Sequence, residues 1–192
     1  MTILRDLSIN LHNRINKSRA NGPGVRAVIW LQGCPFDCSG CFNPGLRDFD
    51  GGEIVAVEEL IEWVLALEGI NGISISGGEP TEQIQPLNCF LSVIKESTEL
   101  SVLLFSGRTG EEIHKLKGGK ELLGLIDVLI EGPYNRELAN PPGIWPSSAN
   151  QRIRFLTERY KNEDFSGLPE TEIIITDQGD VVESGLGIVN II

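Results

Sequence analysis

The chain has 192 residues, with 27 Asp and Glu against 16 Lys and Arg, for a formal net charge of −11. Acidic composition without a basic run excludes a broad nucleic-acid footprint and a role on anionic membrane surfaces. No stretch approaches the roughly 18 consecutive apolar residues of a membrane span, and at about 150 residues per domain the length favours one domain over 1–192.

The N-terminal run MTILRDLSINLHNR mixes charged and apolar residues too finely for a secretion signal, and an edge strand is expected around 7–11. Residues 25–31 (VRAVIWL) form a short apolar, β-branched run between Gly22-Pro23-Gly24 and Gly33, which reads as a buried strand. Residues 57–68 read as a helix with Val57, Leu60, Ile61, Val64 and Leu65 on one face, stopped by Gly69. A second strand, 72–76 (GISIS), runs into Gly77-Gly78-Glu79-Pro80, and Pro86 opens a helix striped by Leu87, Phe90, Leu91 and Ile94. A third strand, 101–105 (SVLLF), ends at Ser106-Gly107. Thr109 and Glu112 then have capping-box spacing, for a helix ended by Gly118. Strands at 127–131 and 152–157, a polar loop after Thr157, and a hairpin from 172–176 and 181–183 around the turn 177–180 complete the reading.

Strands alternating with helices imply β-α-β units and a parallel sheet. A full eight-stranded barrel usually needs about 250 residues, so the expected fold class is α/β: a partial (β/α) barrel or open, mostly parallel sheet, plus the C-terminal hairpin. The expected core spans about 21–157 and a C-terminal extension spans 158–192. Ligands of parallel α/β folds bind at strand C-termini, where the cysteine loop and the Gly-Gly-Glu-Pro, Ser-Gly and Gly-Pro turns should gather.

Of four cysteines, Cys34, Cys38 and Cys41 fall within eight residues with spacing C-x3-C-x2-C, while Cys89 stands apart on the apolar face of a predicted helix. Thiolates so clustered suit a metal rather than a disulfide framework and imply a reducing cytoplasm. Three close thiolates fit a cubane iron–sulfur cluster with one open iron; a zinc site completed by Cys89, His12 or His114 is the alternative.

C-x3-C-x2-C after the first of these strands, with a Gly-Gly-Glu-Pro turn after the second, resembles the radical S-adenosylmethionine (radical SAM) enzymes. Within that superfamily, Asn21-Gly22-Pro23-Gly24-Val25-Arg26, LQGCPFDCSGCFNP, Ser76-Gly77-Gly78-Glu79-Pro80, IDVLIEGPY and SSANQRI resemble the anaerobic ribonucleoside-triphosphate reductase activating proteins, in that family's order. More distantly, the chain is similar to the activating enzyme of pyruvate formate-lyase.

The resemblance implies that Cys34, Cys38 and Cys41 hold a 4Fe-4S cluster whose open iron chelates S-adenosyl-L-methionine. It implies that Gly77, Gly78 and Glu79 border the methionine amino group with backbone oxygens, where glycine lets a ligand approach; an ordinary strand-to-helix turn is the alternative. Gly40 would expose its backbone to adenine and Phe42 would share the aromatic role there, with core packing as the other reading of Phe42. Ser106 and Gly107 would approach the ribose or the methionine carboxylate. Asn150 and Arg152 would position a partner peptide or the cofactor carboxylate, or sit in surface ion pairs.

The function so implied is reductive cleavage of S-adenosyl-L-methionine to a 5′-deoxyadenosyl radical, which places a glycyl radical on a partner enzyme. The expected partners are anaerobic ribonucleotide reductase and a one-electron donor such as flavodoxin or ferredoxin, with no nucleic acid and no membrane. No catalytic side chain is required, because cluster and cofactor carry the chemistry. The alternatives are a radical SAM enzyme acting on a peptide or small metabolite, and a non-catalytic zinc or iron–sulfur module.

Overall fold

A computed structural model describes residues 7–141, 143–163, 165–175, 179 and 181–185. Its centre is a run of parallel strands, β2 (Arg26–Leu31), β4 (Gly72–Gly77), β5 (Ser101–Ser106) and β6 (Val128–Glu131). These are short, β-branched and covered on both faces, which is what parallel strands require. β1 (Ser8–Ser18), β3 (Glu53–Ala56) and β7 (Arg152–Phe155) add antiparallel flanks. The seven-stranded order is β3-β1-β2-β4-β5-β6-β7, so the sheet ends at β3 and β7 and stays open. The expected α/β class, with a parallel core and a C-terminal hairpin, is the fold adopted.

Alternation along each strand divides the core in two. One face presents Ile29, Ile73, Ile75, Val102 and Leu104 to α1 (Val57–Leu65), α2 (Ile84–Ser97), α3 (Gly110–Lys115) and α4 (Gly119–Leu125). The other presents Leu103, Val128 and Ile130 to Tyr160 and Phe165 of the C-terminal extension. The hairpin of β8 (Thr171–Ile175) and β9 (Val181–Gly185) forms a separate two-stranded sheet. The turn expected at 177–180 lies, apart from Gly179, outside the described residues, as does Thr176.

Five expectations need correction. The strand placed at the edge over 7–11 is the eleven-residue β1, and it lies inside the sheet between β3 and β2. Two register shifts, between Leu11 and Asn13 and between Ile15 and Ser18, break its two-residue period and hide its length. The first helix ends at Leu65 rather than 68: the Leu67 N–H turns back to Val64 O, and Gly69 follows at φ +71°. α2 starts at Ile84, after a 3-10 turn over Pro80–Gln83, so Pro86 sits in its first turn, where an N–H has no intrahelical partner to lose. The capped helix stops at Lys115, with Leu116 already extended as its C-cap, three residues before Gly118; Gly118, at φ +81°, instead opens α4, a helix not foreseen. The segment after Thr157, expected to be a polar loop, carries a 3-10 turn over Glu158–Tyr160 and buries Tyr160 and Phe165.

Candidate active site at the strand C-termini

The cysteine loop leaves β2 through Gln32 and Gly33 and is stapled in place by its own backbone. Gly33 N donates to Leu46 O at 2.9 Å, Cys34 N to Arg47 O at 3.2 Å, and Cys41 N to Cys38 O at 3.2 Å. Gln32 Nε2 donates to Asp48 O at 2.7 Å, and Gln83 Nε2 reaches Gln32 O at 3.1 Å. Gly33 stands at φ +92°, with the Phe49 ring where a Cβ would go.

The Gly-Gly-Glu-Pro turn grips this loop. Gly78 N donates to Leu31 O at 2.7 Å and Glu79 N to Gly33 O at 2.8 Å. A Cβ on Gly77 would collide with the Leu31 backbone, and one on Gly78 with Gly33 O. The two glycines are therefore needed for backbone-to-backbone contact between strand ends, a reason independent of any ligand.

The Glu79 side chain, 1% exposed, joins this turn to the next. It accepts from Thr81 N (3.0 Å), Thr81 Oγ1 (2.6 Å), Ser106 Oγ (2.8 Å) and Gly107 N (2.7 Å). Four donors satisfy a carboxylate that would otherwise be costly to bury. Arg108 closes the rim by donating to Thr81 Oγ1, pairing with Glu82, and lying 5.2 Å over the Phe36 ring. Gly132 N completes the series by donating to Ser106 O at 3.0 Å.

Cys34, Cys38, Cys41, Phe42, Gly77, Gly78, Glu79, Ser106 and Gly107 all line one pocket. Gly40 is not among its lining residues; it backs onto Arg136, whose Cβ would be 2.8 Å from an added Cβ. Phe42 is 39% exposed and stacks obliquely on Tyr134 at 4.6 Å between centroids, so it is a rim residue rather than core packing. The Ser106 hydroxyl is committed to Glu79 and to the Arg108 N–H. Asn150 bonds Pro133 O and Arg152 is exposed on β7, while Gln151 between them lines the pocket and donates to Gly132 O at 3.0 Å.

Sequence reasoning missed Phe36, Arg47, Tyr134 and Gln151. The alternation of Asn150, Gln151 and Arg152 was the available signal for Gln151. Phe36 and Tyr134 lay inside motifs already noted but carried no spacing rule.

All four cysteines are free thiols, and the three of the loop are half-buried. Burial pushes the Cys34 thiol up, against the Phe36 backbone N–H, and the negative charges of Glu79, Cys38 and Cys41 push it further. Burial also raises Cys38, opposed by the Tyr134 N–H and by Arg47. Arg47 pairs with Asp37 at 2.6 Å, donates to Cys38 O, and buries its Nε without a partner. Soft, unpaired thiols beside a partly unsatisfied guanidinium fit an anionic thiolate-bound cluster. Among the described residues no three His, Cys, Asp or Glu side chains converge closely enough to grip a single ion; in a cubane each thiolate takes its own iron. Cys89 lines a different cleft beside Glu121, His12 bonds Gln32 Oε1, and His114 is exposed on α3. Among the described residues no helix is long and apolar enough to cross a membrane.

The family model of the 4Fe-4S single cluster domain matches residues 20–154. The chain is 29% identical over 157 residues to the anaerobic ribonucleoside-triphosphate reductase-activating protein of Vibrio cholerae, covering 78% of this chain and 99% of that one. It is 30% identical over 138 residues to the protein of that name from Enterobacteria phage T4, covering 69% and 85%. The Escherichia coli protein of that name is 28% identical over 158 residues, covering 77% and 99%. Among solved structures, QueE from Escherichia coli aligns at a TM-score of 0.44 and 15% identity over 53% of this chain and 54% of that one, too remote a likeness to add to the reading. With the cysteine loop and its domain match on one side and these relatives on the other, the chain belongs to the anaerobic ribonucleoside-triphosphate reductase-activating protein family, with the 4Fe-4S single cluster domain.

Proposed function

We propose that the chain is a radical SAM activating enzyme that places a glycyl radical on a partner enzyme, anaerobic ribonucleotide reductase. The observation that carries this reading is the meeting of three free thiols, Cys34, Cys38 and Cys41, with the Gly77-Gly78-Glu79 turn in one pocket at the C-terminal ends of parallel strands. When bound, the 4Fe-4S cluster and S-adenosyl-L-methionine supply one-electron cleavage of the sulfonium C–S bond, giving methionine and a 5′-deoxyadenosyl radical that takes a hydrogen atom from a glycine Cα.

The residues of this chain bind, orient and shield. The three cysteines are the cluster ligands, and the loop's backbone bonds to residues 46 and 47 hold them. The carbonyls of Gly77 and Gly78 and the turn held by Glu79 receive the methionine end of the cofactor. Phe42, with Tyr134, covers the adenine side, and the Ser106-Gly107 turn meets the ribose or carboxylate. Gly40 keeps a backbone role only. The electron comes from a small one-electron carrier, flavodoxin or ferredoxin, in a reducing cytoplasm.

The test is anaerobic: cluster-loaded protein, dithionite, S-adenosyl-L-methionine and the reductase are combined and followed by electron paramagnetic resonance. A glycyl radical signal with matching 5′-deoxyadenosine is expected. Abundant 5′-deoxyadenosine without a radical on the reductase would favour a different substrate, and neither product from a fully loaded cluster would defeat the proposal.

A further inference from the structure

We propose that the C-terminal hairpin, clasped to the sheet at Ser184, is a specificity-determining wall of this pocket that selects the partner segment admitted to it. The inference rests on the activase reading above and extends it to partner choice. Gly185, the last residue of β9, lines the same pocket as the three cysteines, as does Asn21. Two hydrogen bonds among the described residues help to hold it there. Asn21 Nδ2 donates to Ser184 Oγ at 2.6 Å, with Asn21 5% and Ser184 3% exposed. Arg19 N donates to Glu172 Oε2 at 3.0 Å, pinning the other strand. Asn21 is itself anchored to the sheet, because its carbonyl accepts from Ser74 Oγ on β4 at 2.5 Å.

The wall at Gly185 is backbone: φ is +125°, and an added Cβ would collide with Glu170 O. Upstream, Tyr160 and Phe165 bury against Leu103, Val128 and Ile130, so this part of the extension is seated on the face of the sheet opposite the helices. The family model stops at residue 154, short of this extension. Matching 99% of the Vibrio cholerae relative uses only 78% of this chain, so this chain carries sequence that the relative lacks. The hydrogen bonds named above that hold the cysteine loop and the glycine turns come from other segments, not from the hairpin. On this proposal a macromolecular segment brings its glycine into the pocket past the wall at Gly185.

The test uses the full chain with these two hydrogen bonds removed, Glu172→Ala with Ser184→Val, against wild type and the anaerobic ribonucleoside-triphosphate reductase of the same organism. Hydrogen–deuterium exchange over residues 171–185 reports whether the hairpin has loosened. Partner-free 5′-deoxyadenosine formation with dithionite should stay within about twofold of wild type. The reductase concentration giving half-maximal glycyl radical should rise roughly tenfold, the scale of one to two net hydrogen bonds. A loosened hairpin with unchanged reductase dependence would overturn the inference. So would a fall in partner-free cleavage in step with radical yield, because that would make the hairpin general scaffolding. Wild-type protein that never cleaves S-adenosyl-L-methionine would instead sink the activase reading itself, before the variant is compared.

Discussion

The two ends of the parallel strands are built on opposite rules. At their N-terminal end Arg26 is fully buried and every guanidinium nitrogen has an acceptor: Ser74 Oγ, Pro23 O, Ile73 O, Ser101 O and Oγ, and Tyr160 Oη. Burial lowers its pKa, opposed by Tyr160 and Asp127. Nearby, Asp127 accepts from Val102 N, Thr157 Oγ1 and Lys95 Nζ. At the C-terminal end the turns are rich in glycine, three thiols are free, and Arg47 keeps an unpartnered Nε. One end is saturated and can only stabilise. The other leaves bonding capacity open, which a ligand-binding end requires.

The largest expected effect falls at the open end. Cys34→Ser, Cys38→Ser or Cys41→Ser should each abolish a stable 4Fe-4S cluster, measured as iron and sulfide per chain after anaerobic reconstitution, while urea stability of the metal-free chain shifts by less than about 1 kcal/mol. Cys89→Ser, on α2 and away from the pocket, should load iron as wild type does. Iron loss on changing Cys89 alone would erase the contrast between the regions.

At the closed end the effect should be on stability. Arg26→Met takes a donor from the hydroxyls of Ser74, Ser101 and Tyr160 and from three carbonyls, so a cost of about 3 kcal/mol is expected, a fall of roughly 10 °C in the thermal midpoint. A shift of only a degree or two would mean that the network is not what seals this end.

The smallest effect sharpens the same contrast through pH. Burial alone would raise the Asp127 carboxyl, but the Val102 N–H, the Thr157 hydroxyl and Lys95 bring it below the ordinary aspartate range. A depressed folded-state pKa contributes stability above the unfolded value, about 3.9, and loses it as pH falls through the folded one. Asp127→Asn should therefore cost about 1–2 kcal/mol near neutral pH and progressively less below about pH 4 in urea unfolding. A cost that does not shrink in acid would show that the ionised carboxylate is not the stabilising form.

How much of this was legible depends on whether a feature is local. Spacing alone marked Cys34, Cys38 and Cys41 as a set, because a short loop must bring them near one another whatever the rest of the chain does. The runs that became β2, β4, β5 and β6 were readable from apolar, β-branched content between glycine turns, and the capping box at Thr109 and Glu112 was readable because its partners lie three residues apart. β1 was hidden by two register shifts, and α4 by a glycine that reads as a helix stop but sits at a helix start. Gly40, next to Cys41 in the chain, turned out to back onto Arg136, ninety-six residues away in sequence.

By itself, then, the order of residues determined the class of the fold and the grouping of three thiols on one loop, since each follows from short-range period and spacing, while the cofactor chemistry was read from the family its motifs resemble. Only the tertiary structure decided why Gly77 and Gly78 must be glycine, that the Glu79 carboxylate bridges two turns, that Gln151 rather than its neighbours faces the pocket, and that the hairpin reaches Asn21. Those are contacts between segments far apart in the chain. Their existence depends on how strand ends pack in space, for which local sequence carries no period.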